Sequence, residues 1–125
     1  MSAFHELTDL APIRIWDGVV ARAFGGQEAT LAAIELAPDA VVPEHAHANE
    51  QIGLLLSGSL TFTIAGEAKA LRPGAAWVIP ANAPHSVVVG SEGAQIVELF
   101  APPRSDWAEL ERLDASSDAA RLGLG

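Results

Sequence analysis

Between Ile13 and Phe100 the chain is divided into short apolar and β-branched segments by closely spaced turn residues, and this constrains the fold more than any other feature. Breaks fall at Asp17-Gly18, Gly25-Gly26, Pro38-Asp39, Ser57-Gly58, Gly66-Glu67, Pro73-Gly74, Pro80 to Pro84 and Gly90 to Gly93. They stand too close together for helices of ordinary length, about 11–12 residues. Short strands with regular turn signals belong to an all-β sandwich or barrel. Leu60 to Ile64 illustrates the pattern: Leu60, Phe62 and Ile64 alternate with Thr61 and Thr63, so one face is apolar and the other polar. Gly58 and Gly66 bracket this segment and have the backbone freedom that tight hairpins need.

After Phe100 the character changes. Pro102-Pro103 stops the sheet, Ser105 is placed to cap a helix, and Trp107, Leu110 and Leu113 have helical spacing. The expectation is a short helix from Asp106 to about Leu113, packed on the barrel, followed by a tail to Gly125 that is either another helical turn or frayed chain. At 125 residues the expected organisation is one domain over residues 1–125, with a barrel core over about 13–100 and the helix and tail over 105–125.

Composition narrows the function. Sixteen acidic against seven basic residues give a net charge of −9, which opposes contact with nucleic acid or an anionic lipid surface. The chain has no cysteine, so disulfides and thiol nucleophiles are excluded and a metal would be held by histidine, carboxylate or amide. Met1 to Leu10 lacks a basic and apolar leader pattern, and no apolar run is long enough to span a bilayer. A cytoplasmic protein without nucleic-acid or membrane partners is expected.

Pro43-Glu44-His45-Ala46-His47 places two histidines two apart. In an extended strand both would point to one face, where imidazole nitrogens suit a divalent transition metal. By itself such a pair fits two polar loop residues equally well. On the last strand Ile96, Glu98 and Phe100 share one face and Gln95, Val97 and Leu99 the other. If the first face is buried, Glu98 is a carboxylate among apolar neighbours, with a raised pKa suited to proton transfer. If the second is buried, Glu98 is simply solvated. His5, Arg22 and Arg72 receive no role, and Trp16, Trp77 and Trp107 have the bulk of core or end-covering residues.

The run His45-x-His47-x3-Gln51-x6-Gly58, followed by Pro73-Gly74 and Pro80-x-Asn82-x2-His85, resembles the two motifs of the cupin superfamily. That resemblance implies an RmlC-like jelly-roll β-barrel with one divalent ion, zinc, nickel, iron or manganese, held by His45, His47, Gln51 and His85. Gln51 stands where these proteins usually have glutamate. Asn82 replaces a motif glycine, and asparagine tolerates the left-handed backbone of such a turn. With a neutral amide and three neutral imidazoles, a divalent ion would keep its full charge and attract an anionic ligand.

Glu98-x-Phe100-x3-Arg104, with Pro102, Pro103 and Trp107, and the stretches Val42 to His45, Glu50 to Gly53 and Trp77 to Pro80, extend the likeness. They are similar to the pectin-degradation cupins of the KdgF type, which implies a metal-dependent enzyme that linearises 4,5-unsaturated uronate monomers to 4-deoxy-5-keto uronates. In this reading Glu98 moves protons in the place of a family aspartate, Arg104 pairs with the carboxylate of an anionic sugar, and Phe100 shapes the pocket. A homodimer is expected by the same analogy. The rivals are another metal cupin, such as a dioxygenase or sugar isomerase, and a non-catalytic binder of a metal or small acid.

Overall fold

The computed structural model describes residues 2–124. Its eight strands are β1 (Ile13–Trp16), β2 (Val19–Gly25), β3 (Thr30–Leu36), β4 (Val41–His45), β5 (Glu50–Ile64), β6 (Glu67–Leu71), β7 (Ala76–Ile79) and β8 (His85–Ala101). They form one antiparallel sheet whose main path is β1-β2-β3-β8-β5-β6, with β4 paired to β8 and β7 to β5. This is the expected all-β jelly-roll. The sheet rolls around its core without closing, because the two ends of the path, β1 and β6, do not pair.

Two long strands, β5 and β8, form the spine, and both run through positions that the sequence marks as breaks. Their pairing slips twice, between Leu55 and Ser57 and between Gly58 and Leu60. Side chains alternate across a strand, so an irregular count moves the buried set from one parity to the other. Along β5 the buried residues are Gln51, Gly53 and Leu55 before the slip and Leu60 and Phe62 after it; along β8 they are His85, Val87 and Val89, then, past Gly93, which is buried at the irregularity itself, Ala94, Ile96, Glu98 and Phe100. Gly58, with φ of +81°, is the hinge of this irregularity, and a Cβ there would lie 1.9 Å from the Gly93 carbonyl oxygen. Gly66 does serve a hairpin, as part of the turn between β5 and β6 with φ of +86° beside Ala65 at +49°.

Inward side chains of the strands, including Ile34, Leu36, Val42, Phe62, Val87 and Ile96, make a continuous apolar core. The expected helix after Ser105 is shorter and tighter than the spacing implied. It is a 3₁₀ turn over Ser105–Glu109, without a side-chain cap, that buries Trp107. Glu111 to Leu113 then join the edge of the sheet: the Arg14 N–H donates to the Glu111 carbonyl, the Leu113 N–H donates to the Pro12 carbonyl, and Ile13 pairs with Arg112. Backbone pairing to β1 competes with helix here.

The tail is neither helical nor frayed over the described residues; Gly125 lies outside them. It is held by Arg22, which is fully buried. The Arg22 guanidinium donates to the carbonyls of Thr8 (3.2 Å) and Leu10 (2.5 Å) before the sheet, and to those of Ala115 (3.2 Å), Ser117 (2.6 Å) and Ala119 (2.9 Å) after it. One side chain thus fastens both terminal segments to β2. Among the described residues no helix is long and apolar enough to cross a membrane.

Candidate metal centre and acid–base site

His45 ends β4 and His85 begins β8, and the two are directly paired across strands. His47 lies beyond β4, in the bend that leads to β5. The two histidines of His-x-His therefore do not share a strand as alternation suggested. The bend brings His47 back over the same opening, and the turn around Asn82 anchors it, since the Asn82 N–H donates to the His47 carbonyl at 2.7 Å. Asn82 has φ of +66°, the left-handed conformation expected of it. One ring nitrogen from each of His45, His47 and His85 lies within 4.8 Å of the others.

Each imidazole is oriented by its own backbone neighbourhood. His45 Nδ1 is 2.9 Å from the Pro43 carbonyl, His47 Nδ1 is 3.0 Å from that of Asn49, and His85 Nδ1 is 2.9 Å from that of Ala83. A carbonyl only accepts, so Nδ1 carries the proton in all three rings and Nε2 presents a lone pair. The buried Nε2 of His85 has no hydrogen-bond partner among the described residues. His47 Nε2 faces Gln51 Oε1 at 3.0 Å, which sets two acceptors against each other. A cation between such lone pairs satisfies them all, so the donor set fits a divalent metal ion.

The Gln51 amide cannot turn freely. Its Nε2 donates to Glu98 Oε2, and this directs Oε1 toward His47. Gln51 is buried near the start of β5, whereas Glu50 points to solvent. Glu98 receives a second hydrogen bond at the same oxygen, from Trp77 Nε1 at 2.9 Å. Gly53 makes this possible, because any Cβ there would fall 2.3 Å from the indole of Trp77. Trp77 is thus more than core bulk, a role that single-strand patterning does not reveal because its partner lies across two strands.

Glu98 faces inward with 5% of its surface exposed while Leu99 keeps 38%, which decides between the two faces of β8. Burial pushes its pKa up to about 7, against the opposing pull of the bonds from Gln51 and Trp77 and of the Arg104 charge. Burial likewise pushes His85 down to about 4, and lowers His47. Burial therefore favours the neutral imidazole at His47 and His85.

Arg104 follows β8 and is sandwiched between Phe100 and Trp107, with its guanidinium carbon 4.9 Å and 4.7 Å from the two ring centres. It donates from Nε and Nη2 to Asp106 at 3.0 and 2.9 Å, and these bonds hold the Asp106 carboxyl below its usual pKa. Trp16 stacks at a tilt on His45, 5.1 Å between centres. These groups line one cavity of about 220 Å³ whose lining also includes the apolar side chains of Ile34, Val42 and Val87. All seven residues singled out from the sequence, His45, His47, Gln51, His85, Glu98, Phe100 and Arg104, border this cavity. His5 is elsewhere, stacked on Phe24.

The sequence profile of the cupin domain matches residues 32–100, more than half of the chain. The chain is a cupin. Over 75 residues this cupin is 32% identical to the pectin degradation protein KdgF of Dickeya dadantii, a match that covers 59% of this chain and 68% of that protein. The solved structure of KdgF from a Halomonas species is similar at a TM-score of 0.76 and 23% identity, over 85% of this chain and 98% of that one. An RmlC-like cupin from Shewanella frigidimarina is similar at a TM-score of 0.78 and 21% identity, over 85% and 96%. At these identities the two structures speak for the fold. The closer relative in sequence makes this a KdgF-like cupin, with three histidines placed to hold a metal ion.

Proposed function

We propose that this cupin opens the ring of a 4,5-unsaturated uronate monomer to give a 4-deoxy-5-keto uronate. The observation that carries the proposal is Glu98: a buried carboxyl titrating near neutrality, bonded to Gln51 beside the histidine cluster, in the cavity that also holds Arg104. Similarity to the pectin degradation protein supports the substrate class. A cavity of about 220 Å³ suits a single sugar ring rather than a chain, since sites for larger ligands run to about 300–1,000 Å³.

The conversion is an isomerisation without redox change. A proton leaves the C1 hydroxyl, C1–O5 breaks as the C1 carbonyl forms, the electron pair spreads over O5, C5 and C4 as an enolate, and a proton is delivered to C4. A divalent ion held by His45, His47, His85 and Gln51 would supply Lewis-acid stabilisation of negative charge on substrate oxygen. Glu98 takes the first proton and returns one to C4. Both of its hydrogen bonds fall on Oε2, so Oε1 is the atom free to carry the proton. Arg104 commits one edge of its guanidinium to Asp106 and offers the remaining Nη hydrogens to the substrate carboxylate. Phe100 and Trp107 hold that guanidinium flat, and Trp107 Nε1 is a buried donor without a partner among the described residues.

The test is loss of the conjugated absorbance of unsaturated galacturonate after metal analysis of the purified protein. Glu98→Gln should keep the metal and lose about 10²–10⁴-fold in kcat, together with any pH inflection near 7. Glu98→Asp should keep measurable turnover. Full activity in Glu98→Gln would remove Glu98 from the reaction. Oxygen consumption with bound iron, or affinity for uronates without turnover, would replace the proposal with a dioxygenase or a binding protein.

A further inference from the structure

Ile15 and Trp16 are consecutive in β1, and both line the cavity. Successive side chains of a regular strand point to opposite faces, so one of the two should turn away. It does not, because β1 carries one residue more than β2 between the pairs Arg14 with Val20 and Trp16 with Val19. Such a bulge re-aims a side chain without ending the strand. Here it turns an indole toward the histidine cluster across the open seam of the sheet. β1 is an edge strand that does not pair with β4, yet Trp16 packs on His45 at the end of β4. Of the larger aromatic side chains around the cavity, Phe62, Phe100 and Trp107 are buried, whereas Trp16 is half-buried. Ring contacts run from it through His45 and His47 to Phe100, with successive centres 5.1, 5.8 and 5.9 Å apart, and Arg104 sits over Phe100. The indole and the guanidinium therefore stand at the two ends of one series, with metal-ligating histidines between them.

We propose that Trp16 is the platform on which the sugar ring of the substrate rests, an inference that depends on reading the cavity as a uronate site. A carboxylate on Arg104 directs its own ring over the histidines and the far side of that ring toward Trp16. A pyranose carries its hydroxyls mostly at the edge and presents C–H groups on its faces. An indole face is flat, apolar and electron-rich, so it matches those C–H groups, and the contact removes apolar surface of both partners from water. Among the described residues that line the cavity, no other large ring has such a face free. Phe100 and Trp107 enclose the Arg104 guanidinium, and Phe62 is buried in the core against Trp77. Polar groups fix the orientation of a small ligand while aromatic walls supply much of its contact, and Arg104 and Trp16 divide those tasks. Contact with a ring face is much the same before and at the transition state, so it acts on KM rather than kcat.

Two measurements on zinc-loaded protein test this: turnover of unsaturated galacturonate, and calorimetric titration with galacturonate, a saturated uronate that keeps the ring and carboxylate but lacks the reacting double bond. Trp16→Ala should raise KM and weaken galacturonate binding by about tenfold or more, with kcat and zinc affinity nearly as in wild type. Trp16→Phe, which restores a flat ring, should recover most of both losses. If Trp16→Ala fails to fold, Trp16→Leu, which fills the space without a flat face, should show the same weakening. Galacturonate affinity unchanged in the folded variant would overturn the inference, and so would a wild type that binds no galacturonate. A fall in zinc affinity that accounts for the loss would overturn it too, since Trp16 would then act by holding the His45 imidazole. Failure of the ring-opening reading looks different: wild type would bind galacturonate through Trp16 and leave the unsaturated sugar unchanged.

Discussion

His85 and Glu98 are both buried, and burial drives both toward their neutral forms, but the consequences for stability have opposite signs. His85 titrates near 4 in the folded chain against an ordinary value of 6.5. Between those values the unfolded chain takes up a proton that the folded chain refuses, so stability falls as pH falls. Glu98 titrates near 7 against 4.5, so its ionisation costs stability as pH rises through that window. In metal-free protein the two partly offset. Comparing urea midpoints at pH 7 and pH 5 for chelator-treated wild type and His85→Gln separates them: wild type should lose more on acidification than the variant. Equal losses would mean that His85 is not held neutral by the fold. The neutral state is also the one that ligates, because a protonated imidazole has no lone pair for a metal.

At the scale of the element, β5 and β8 place the site by being long. One continuous strand carries Gln51 and another carries both His85 and Glu98, 13 residues apart on opposite sides of an irregularity. That irregularity is what lets both parities of β8 point inward. Gly58 is the residue with least room to change: a Cβ would collide with the Gly93 carbonyl, and φ of +81° is strained for any other residue. Gly58→Ala should therefore cost about 2–4 kcal/mol of unfolding free energy, measured by urea denaturation. Gly66→Ala should cost less, since its Cβ would meet nothing within 4 Å and only the backbone conformation opposes it.

For the whole molecule, Arg22 joins the two ends of the chain to the sheet through five carbonyl oxygens. Hydrogen bonds from a charged donor contribute about 1.5–3 kcal/mol each and do not simply add. Arg22→Met keeps the length and removes the donors. The expected result is a lower Tm and limited proteolysis within residues 111–124, with the histidine cluster still able to bind zinc. If the C-terminal segment stays as resistant as in wild type, the backbone bonds of Glu111 and Leu113 to β1 suffice to hold it. Because the 3₁₀ turn with Trp107 lies between β8 and that segment, loosening the tail should also loosen one wall of the cavity.

What the sequence determined by itself was local in origin. Turn residues at short intervals excluded helices, and the two-residue period placed Ile96, Glu98 and Phe100 on one face of a strand. Backbone geometry and side-chain direction repeat within a few residues, whereas His45, His47, Gln51 and His85 came into one group only through the likeness of their spacing to the cupin motifs. The tertiary structure decided the rest. Ser57-Gly58 and Gly90 to Gly93 looked like strand ends because a bulge breaks the alternation, and only the partner strand shows that the chain continues. His47 reaches the cluster from a bend, not from the strand of His45. Trp77 had only the bulk of a core residue and Arg22 received no role, since neither the carboxylate across two strands nor five carbonyls from both ends of the chain leave a mark in their sequence neighbourhoods. Which face of β8 is buried, and hence that Glu98 titrates near neutrality, follows from packing between strands far apart in the chain, a contribution that no local pattern contains.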